Sequence, residues 1–246
     1  MSPPAPDGPC PDPDGQEPTT STAKPEVVTA EQWAAARAEL LVEEKAHMRA
    51  GDALAAKRRR MPMTRVDPGY RFAAPEGEVG LVDLFAGRRQ LVVCRFFMDP
   101  GQEMGDYPER GCPGCSMYAD QLGNTAHLQA RDTRFVAVSR GPQEVLHRYR
   151  EQMGWRFPWY TTLDDFDRDH DVDQWHGTDV FLRDGDDVHR TYFVDNRGDE
   201  AFGTIWSFLD RTPFGRQEEW EDSPDGWPQT PAYTWWSYGD QLPEPA

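Results

Sequence analysis

No run of residues in this chain approaches the ~20 apolar positions that a membrane-spanning helix needs. Residues 1–24 are rich in Pro, Asp and Thr, with neither a basic start nor an apolar core. They do not read as a secretory signal, so a cytoplasmic location is expected. Basic charge is scarce: 26 Lys and Arg stand against 43 Asp and Glu, for a net charge of −17. A field of that sign repels phosphate backbones, so nucleic acid is not an expected partner, and without an apolar span neither is a membrane. Internal repeats are absent. Cysteine is sparse too, at 4 in 246 residues, and a reducing cytosol does not favour structural disulfides. Pro (22) and Gly (21) are abundant, which predicts long irregular connections around one domain with extensions.

The chain divides by texture. Residues 1–27 are turn formers without periodicity and read as a disordered tail carrying Cys10. A helical extension spans 28–65. Thr29 is positioned to cap a helix over 30–60, with Trp33, Leu40, Leu41, Met48 and Leu54 roughly on one face and Gly51-Asp52 as an interruption. Its basic end, Lys57-Arg58-Arg59-Arg60, suits a helix C-terminus facing water.

The domain proper spans 66–213. A hairpin is predicted around Pro75-Glu76-Gly77-Glu78, then one helical turn over 83–87. The run Leu91-Val92-Val93-Cys94-Arg95-Phe96-Phe97-Met98 reads as a central strand buried on both faces, with Cys94 a small buried hydrophobe. A helix is predicted over 116–128, a strand over 133–138 and a helix after Gly141-Pro142 carrying Val145, Leu146, Tyr149 and Met153. The aromatic segment 155–160 enters a further sheet element. Asp184-Gly185 turns a hairpin between 180–182 and 188–194, and a last helix over 199–210 carries Phe202, Ile205, Trp206 and Leu209. Residues 214–246 are rich in Trp, Pro and Glu and show no regular pattern.

The candidate chemistry lies in Gly111-Cys112-Pro113-Gly114-Cys115-Ser116, between the apolar strand and the following helix. A Cys at a helix N-terminus meets unpaired N–H groups and the macrodipole, which favour its thiolate. Cys112 would attack and Cys115, three residues on, would resolve. Arg95 and Arg110 would favour the thiolate; Glu103, Asp106 and Glu109 would oppose it. A zinc half-site would need two further soft ligands, and the six His are scattered with no second Cys-x-x-Cys. A peroxidatic loop would need Thr ahead of the Cys, where Glu109-Arg110-Gly111 stands. The acidic stretch 164–173 lacks the central Gly and terminal Glu of a calcium loop and reads as a solvated loop.

The order strand, helix, strand, helix, strand, strand, helix, with the Cys pair at the first strand-to-helix junction, is that of the thioredoxin fold. Beyond this order, the chain resembles a bacterial thioredoxin-like family of unknown function whose members are predicted dithiol-disulfide oxidoreductases. The matching residues include Arg59-Arg60-Met61-Pro62, Val66-Asp67-Pro68-Gly69-Tyr70-Arg71-Phe72 and the Cys motif itself. They continue with Met153-Gly154-Trp155-Arg156-Phe157-Pro158-Trp159-Tyr160 and Leu209-Asp210-Arg211-Thr212-Pro213-Phe214-Gly215-Arg216, spanning about residues 30–240. The resemblance implies a three-layer thioredoxin-like α/β fold with a mixed central sheet, an N-terminal helix and a C-terminal aromatic extension. It also implies thiol-disulfide exchange through Cys112 and Cys115, without a cofactor. Partners would be a disulfide or thiol substrate, protein or small molecule, and a cellular thiol reductant. Thr178 stands near where thioredoxins carry a cis-Pro beside the substrate; with Trp155, Trp159 and Trp175 it is a candidate substrate wall. Trp235-Trp236-Ser237-Tyr238-Gly239-Asp240 replaces the basic-His-acidic-Tyr string that often ends family members. The alternative function is a non-catalytic binding protein using the aromatics around the same turn.

Overall fold

The computed structural model describes residues 24–102, 105–172 and 176–242. The tail with Cys10, and the residues Glu103, Asp173 and Trp175, lie outside the described residues. In chain order come α1 (Ala30–Arg58), β1 (Thr64–Val66), β2 (Arg71–Ala74), β3 (Gly77–Gly80), α2 (Leu81–Leu84) and β4 (Gln90–Arg95). Then follow α3 (Pro113–Asp120), α4 (Ala126–Gln129), β5 (Thr133–Ser139), α5 (Gln143–Gln152), β6 (Trp159–Thr162) and α6 (Phe166–Asp169). The series ends with β7 (Gly177–Asp184), β8 (Asp187–Asp195) and α7 (Thr204–Leu209), with 3₁₀ turns at Asn196–Phe202 and Gly239–Gln241.

One mixed sheet carries the strands in the order β1-β8-β7-β4-β5-β6-β2-β3. The apolar run forms the central strand β4, parallel to β5 and antiparallel to β7, with Leu91, Val93 and Cys94 all buried. β6 continues the parallel set beside β5, and the β2–β3 hairpin adds antiparallel to β6. On the other side β7 and β8 form the expected antiparallel hairpin, turned at Gly185 with φ +61°. A β4–α3–β5–α5 unit followed by antiparallel β7–β8 is the thioredoxin arrangement. The chain is therefore a thioredoxin-like α/β fold, extended at one edge by β6 and the hairpin.

Alternation along the strands divides the core in two. Cys94, Phe96, Phe135 and Ala137 face Tyr118, Leu146, Tyr149 and Trp159 on one side of the sheet. Leu91, Val93, Val136 and Val138 face Leu84, Phe85 and Phe166 on the other. Helices cover both faces, giving three layers.

Several expectations need correction. The helix expected over 116–128 is two short pieces, because the chain breaks at Gly123-Asn124 and Asn124 Oδ1 accepts from Ala126 N–H at 2.9 Å. α1 has the expected Thr29 capping box and runs through Gly51 unbroken. Yet none of its residues is buried. At about 100° per residue Trp33 and Val42 lie on opposite sides, so its apolar residues wrap the helix instead of forming one face. The last helix is split into a 3₁₀ segment and α7, and of its four expected core residues only Trp206 is buried. The acidic stretch is solvated at Asp164, Asp165, Asp169 and Asp171, as expected, but it carries the short helix α6, and Asp167 is fully buried with its carboxylate 2.7 Å from Arg95 Nε.

Candidate active site: a dithiol turn beneath the C-terminal segment

The Cys motif hangs from the end of β4. Phe96 N–H still bonds to Val138 carbonyl in the sheet register, and Cys112 N–H donates to Phe97 carbonyl at 2.9 Å. Gly111 makes this approach possible, since a Cβ there would lie 2.5 Å from the Phe96 ring. Cys112 is the N-cap of α3 with extended backbone (φ −60°, ψ 131°), and Pro113 occupies the first turn, where its missing N–H costs nothing. Ser116 locks the turn: its N–H and its Oγ donate to Cys112 carbonyl at 3.0 and 2.9 Å. The same Oγ shares a 2.9 Å hydrogen bond with Tyr149 hydroxyl.

None of Cys112, Cys115 and Cys94 is in a disulfide. Cys112 is 4 % exposed and Cys115 6 %. Phe97 N–H points at Cys115 Sγ at 3.5 Å. Cys94, 6 % exposed on β4, belongs to the same core layer, and burial pushes its thiol up. Burial likewise raises Tyr118 and Tyr149, which stay protonated as neutral walls.

Neither arginine proposed to favour the thiolate is available for that role. Arg95 follows the strand alternation to the opposite face, where it is 1 % exposed and paired with Asp99 and Asp167. Arg110 makes a bidentate pair with Asp240 at 2.6 and 2.8 Å and lies 4.6 Å from the centre of the Tyr238 ring. Asp240 is correspondingly held below the usual carboxylate range by the Arg110 hydrogen bond.

The three aromatic and polar candidates for a substrate wall do not converge on the sulfurs as a surface. Trp159 is 1 % exposed, turned into the core from β6, with its indole N–H on Ser139 Oγ at 2.9 Å. Thr178 is fully buried opposite Cys94 in the β4–β7 ladder. Trp155 is half-buried, stacked on Phe157 and donating to Asp120 at 2.8 Å. The first two are core walls in this conformation.

What lies over the motif comes from the far end of the chain. The Trp236 ring packs so close to Gly114 that a Cβ there would lie 2.5 Å from two of its ring carbons. Tyr238, 3 % exposed, donates from its hydroxyl to Gly111 carbonyl at 2.9 Å. Burial raises that hydroxyl, which keeps it a donor. Gly239 N–H reaches Asp120 at 3.2 Å, and Gln152 adds a 3.0 Å bond to Asp240. Among the described residues no group of three or more His, Cys, Asp or Glu is arranged to hold a metal ion, and no helix is long and apolar enough to cross a membrane.

A buried strand, a Cys-x-x-Cys turn and a helix beginning at the first Cys define a thioredoxin-fold protein with a dithiol turn. By sequence, residues 22–242 match a family described as bacterial protein of unknown function (DUF899), and the chain belongs to that family. No curated protein matches it. Among solved structures, an uncharacterised conserved protein from Geobacillus kaustophilus is 15 % identical, with a TM-score of 0.41 over 55 % of this chain and 69 % of that one. A thiol:disulfide interchange protein from Bacteroides sp. is 14 % identical, with a TM-score of 0.41 over 64 % and 94 %. Thioredoxin from Wuchereria bancrofti is 16 % identical, with a TM-score of 0.37 over 61 % and 100 %. The fold itself rests on strand order and register.

Proposed function

We propose that the protein carries out thiol-disulfide exchange through Cys112 and Cys115. The observation that carries this reading is the placement of two thiols, neither in a disulfide, on one helical turn, the first of them the N-cap of α3. In the reductive direction the Cys112 thiolate attacks one sulfur of a substrate disulfide, forming a mixed disulfide and expelling the other sulfur as a thiolate that takes up a proton. Cys115 then attacks the Cys112 sulfur, closes the Cys112–Cys115 bond and releases the second substrate thiol. Two electrons pass from the pair to the substrate, and a cellular thiol reductant restores the dithiol. The Phe97 N–H at Cys115 Sγ offers a donor to negative charge on that sulfur when it attacks the mixed disulfide. The substrate would be a protein or small-molecule disulfide, and the expected compartment is the cytoplasm, where the thiol pool keeps the pair reduced.

Cys112→Ser is expected to abolish disulfide reduction, and Cys115→Ser to accumulate a mixed disulfide visible by mass spectrometry. Undiminished turnover in Cys112→Ser would defeat the reading. The burial of both sulfurs favours a second reading, a non-catalytic binding protein built on the same fold. That reading requires replacement of both Cys by Ser to leave partner binding intact.

A further inference from the structure

Attack on a disulfide requires a substrate sulfur to touch the attacking one, and with Cys112 4 % exposed nothing can do so in this arrangement. The obstruction is specific. Trp236 lies on Gly114, inside the motif, and Tyr238 bonds to Gly111, the residue before Cys112. Trp236 is itself held from behind by Tyr233, with ring centroids 4.5 Å apart, and edge-on by Trp206 at 5.9 Å. No strand ladder fixes this segment to the sheet. Its polar anchors are the Arg110–Asp240 pair, the Gln152 and Asp120 hydrogen bonds, the Tyr238 hydroxyl and the Trp235 indole N–H, which donates to the buried Glu218 at 2.6 Å. The Arg110–Asp240 pair is partly solvent-exposed, at 15 % and 30 %. Tyr238 packs into the core cluster with Trp235 and Trp236 against it, yet a segment held by side chains and outside any ladder can open locally without global unfolding.

We propose that residues 235–240 are a strap that closes the dithiol site, with Arg110–Asp240 as its latch, and that lifting it admits the disulfide to Cys112. This rests on the exchange reading for its purpose but not for its test. At the motif itself, lifting the strap breaks one ring contact on Gly114 and one hydrogen bond on Gly111, besides the strap's outer anchors, and leaves the β4–α3 turn held by Ser116 and Phe97. The site thus opens with its geometry intact. A closed dithiol is also shielded from nonspecific oxidation, so turnover is restricted to partners able to displace the strap.

The experiment measures alkylation of the full chain by iodoacetamide, with Cys112, Cys115 and Cys94 quantified separately by tandem mass spectrometry. Cys94, inside the central strand, reports global unfolding. Asp240→Asn, which removes the charge-assisted latch, is expected to speed Cys112 alkylation about two- to threefold, with Cys94 still protected. Trp236→Ala should give a larger rise and Tyr238→Phe a smaller one. Unchanged Cys112 rates in all three variants would overturn the strap, and so would a rise shared equally by Cys94. Disulfide reductase turnover in the same variants separates the two claims. Faster alkylation without any turnover keeps the strap and removes the exchange reading. Turnover with unchanged alkylation keeps the exchange reading and removes the strap.

Discussion

The two faces of the sheet are built from the same strands and closed by different means. On the face opposite the thiols, the hairpin, α2 and α6 supply Phe72, Leu81, Leu84, Phe85 and Phe166, all within 1 % of complete burial. A buried cation, Arg95, sits there between Asp99 and Asp167, with Arg140 Nε 3.3 Å from the same Asp167 oxygen. On the thiol face the outermost layer over the motif is irregular chain, held by aromatic contacts, by the buried Tyr238 and Trp235 hydrogen bonds and by the partly exposed Arg110–Asp240 pair. One β4 side chain separates them: Cys94 faces one environment and Arg95 the other. The arrangement implies a rigid back and a front that can open. Chemistry that needs access belongs on the front.

The widest test of that contrast is Arg95→Met. It leaves two carboxylates buried without their cation and should cost ~3–5 kcal/mol of unfolding free energy by denaturant titration. A cost near that of a surface ion pair would show that the back is as loose as the front. Next comes Asp179, buried on β7 beside Arg190 at 2.6 Å, whose carboxyl burial pushes up to about 7. Its proton is bound more tightly folded than unfolded, where its pKa is ~3.9. The stability this group adds is therefore full below about pH 4 and is lost as pH rises through about 7. Asp179→Asn should flatten that part of the stability profile; an unchanged slope would refute it. Thr29→Ala removes the α1 cap and should cost ~1 kcal/mol of helicity in α1, read by hydrogen exchange in residues 30–34, without moving the unfolding midpoint of the sheet. Asp240→Asn should lower global stability least, by ~0.5 kcal/mol, since its partner is partly exposed. A loss as large as that of Arg95→Met would mean that the strap is part of the core.

Much of the fold follows from patterns that local physics dictates. The unbroken apolar run could only be a central strand, Asp184-Gly185 could only turn a hairpin, and a Pro just after Cys112 marks a helix start. The dithiol site was readable for the same reason, because four residues in sequence carry it. What was not readable is long-range. Nothing around Arg95 says which way its side chain turns, and its partner Asp167 lies more than seventy positions away in a stretch whose composition suggests a surface loop. Trp159 and Thr178 looked like a groove because aromatic and hydroxyl side chains line binding sites. The pleat turned both inward instead. Tyr238 and Asp240 lie in a segment without periodicity, and only their contacts with Gly111 and Arg110 reveal their place over the thiols.

The most direct test of the central claim is equilibration of the protein in glutathione redox buffers, with Cys10→Ser and Cys94→Ala introduced. The Cys112–Cys115 disulfide is then quantified by acid trapping and mass spectrometry. The account predicts reversible formation of that one disulfide, with a potential in the range of roughly −120 to −270 mV spanned by dithiol oxidoreductases. A pair that stays reduced across the whole series, or that forms only mixed disulfides with glutathione, would contradict it.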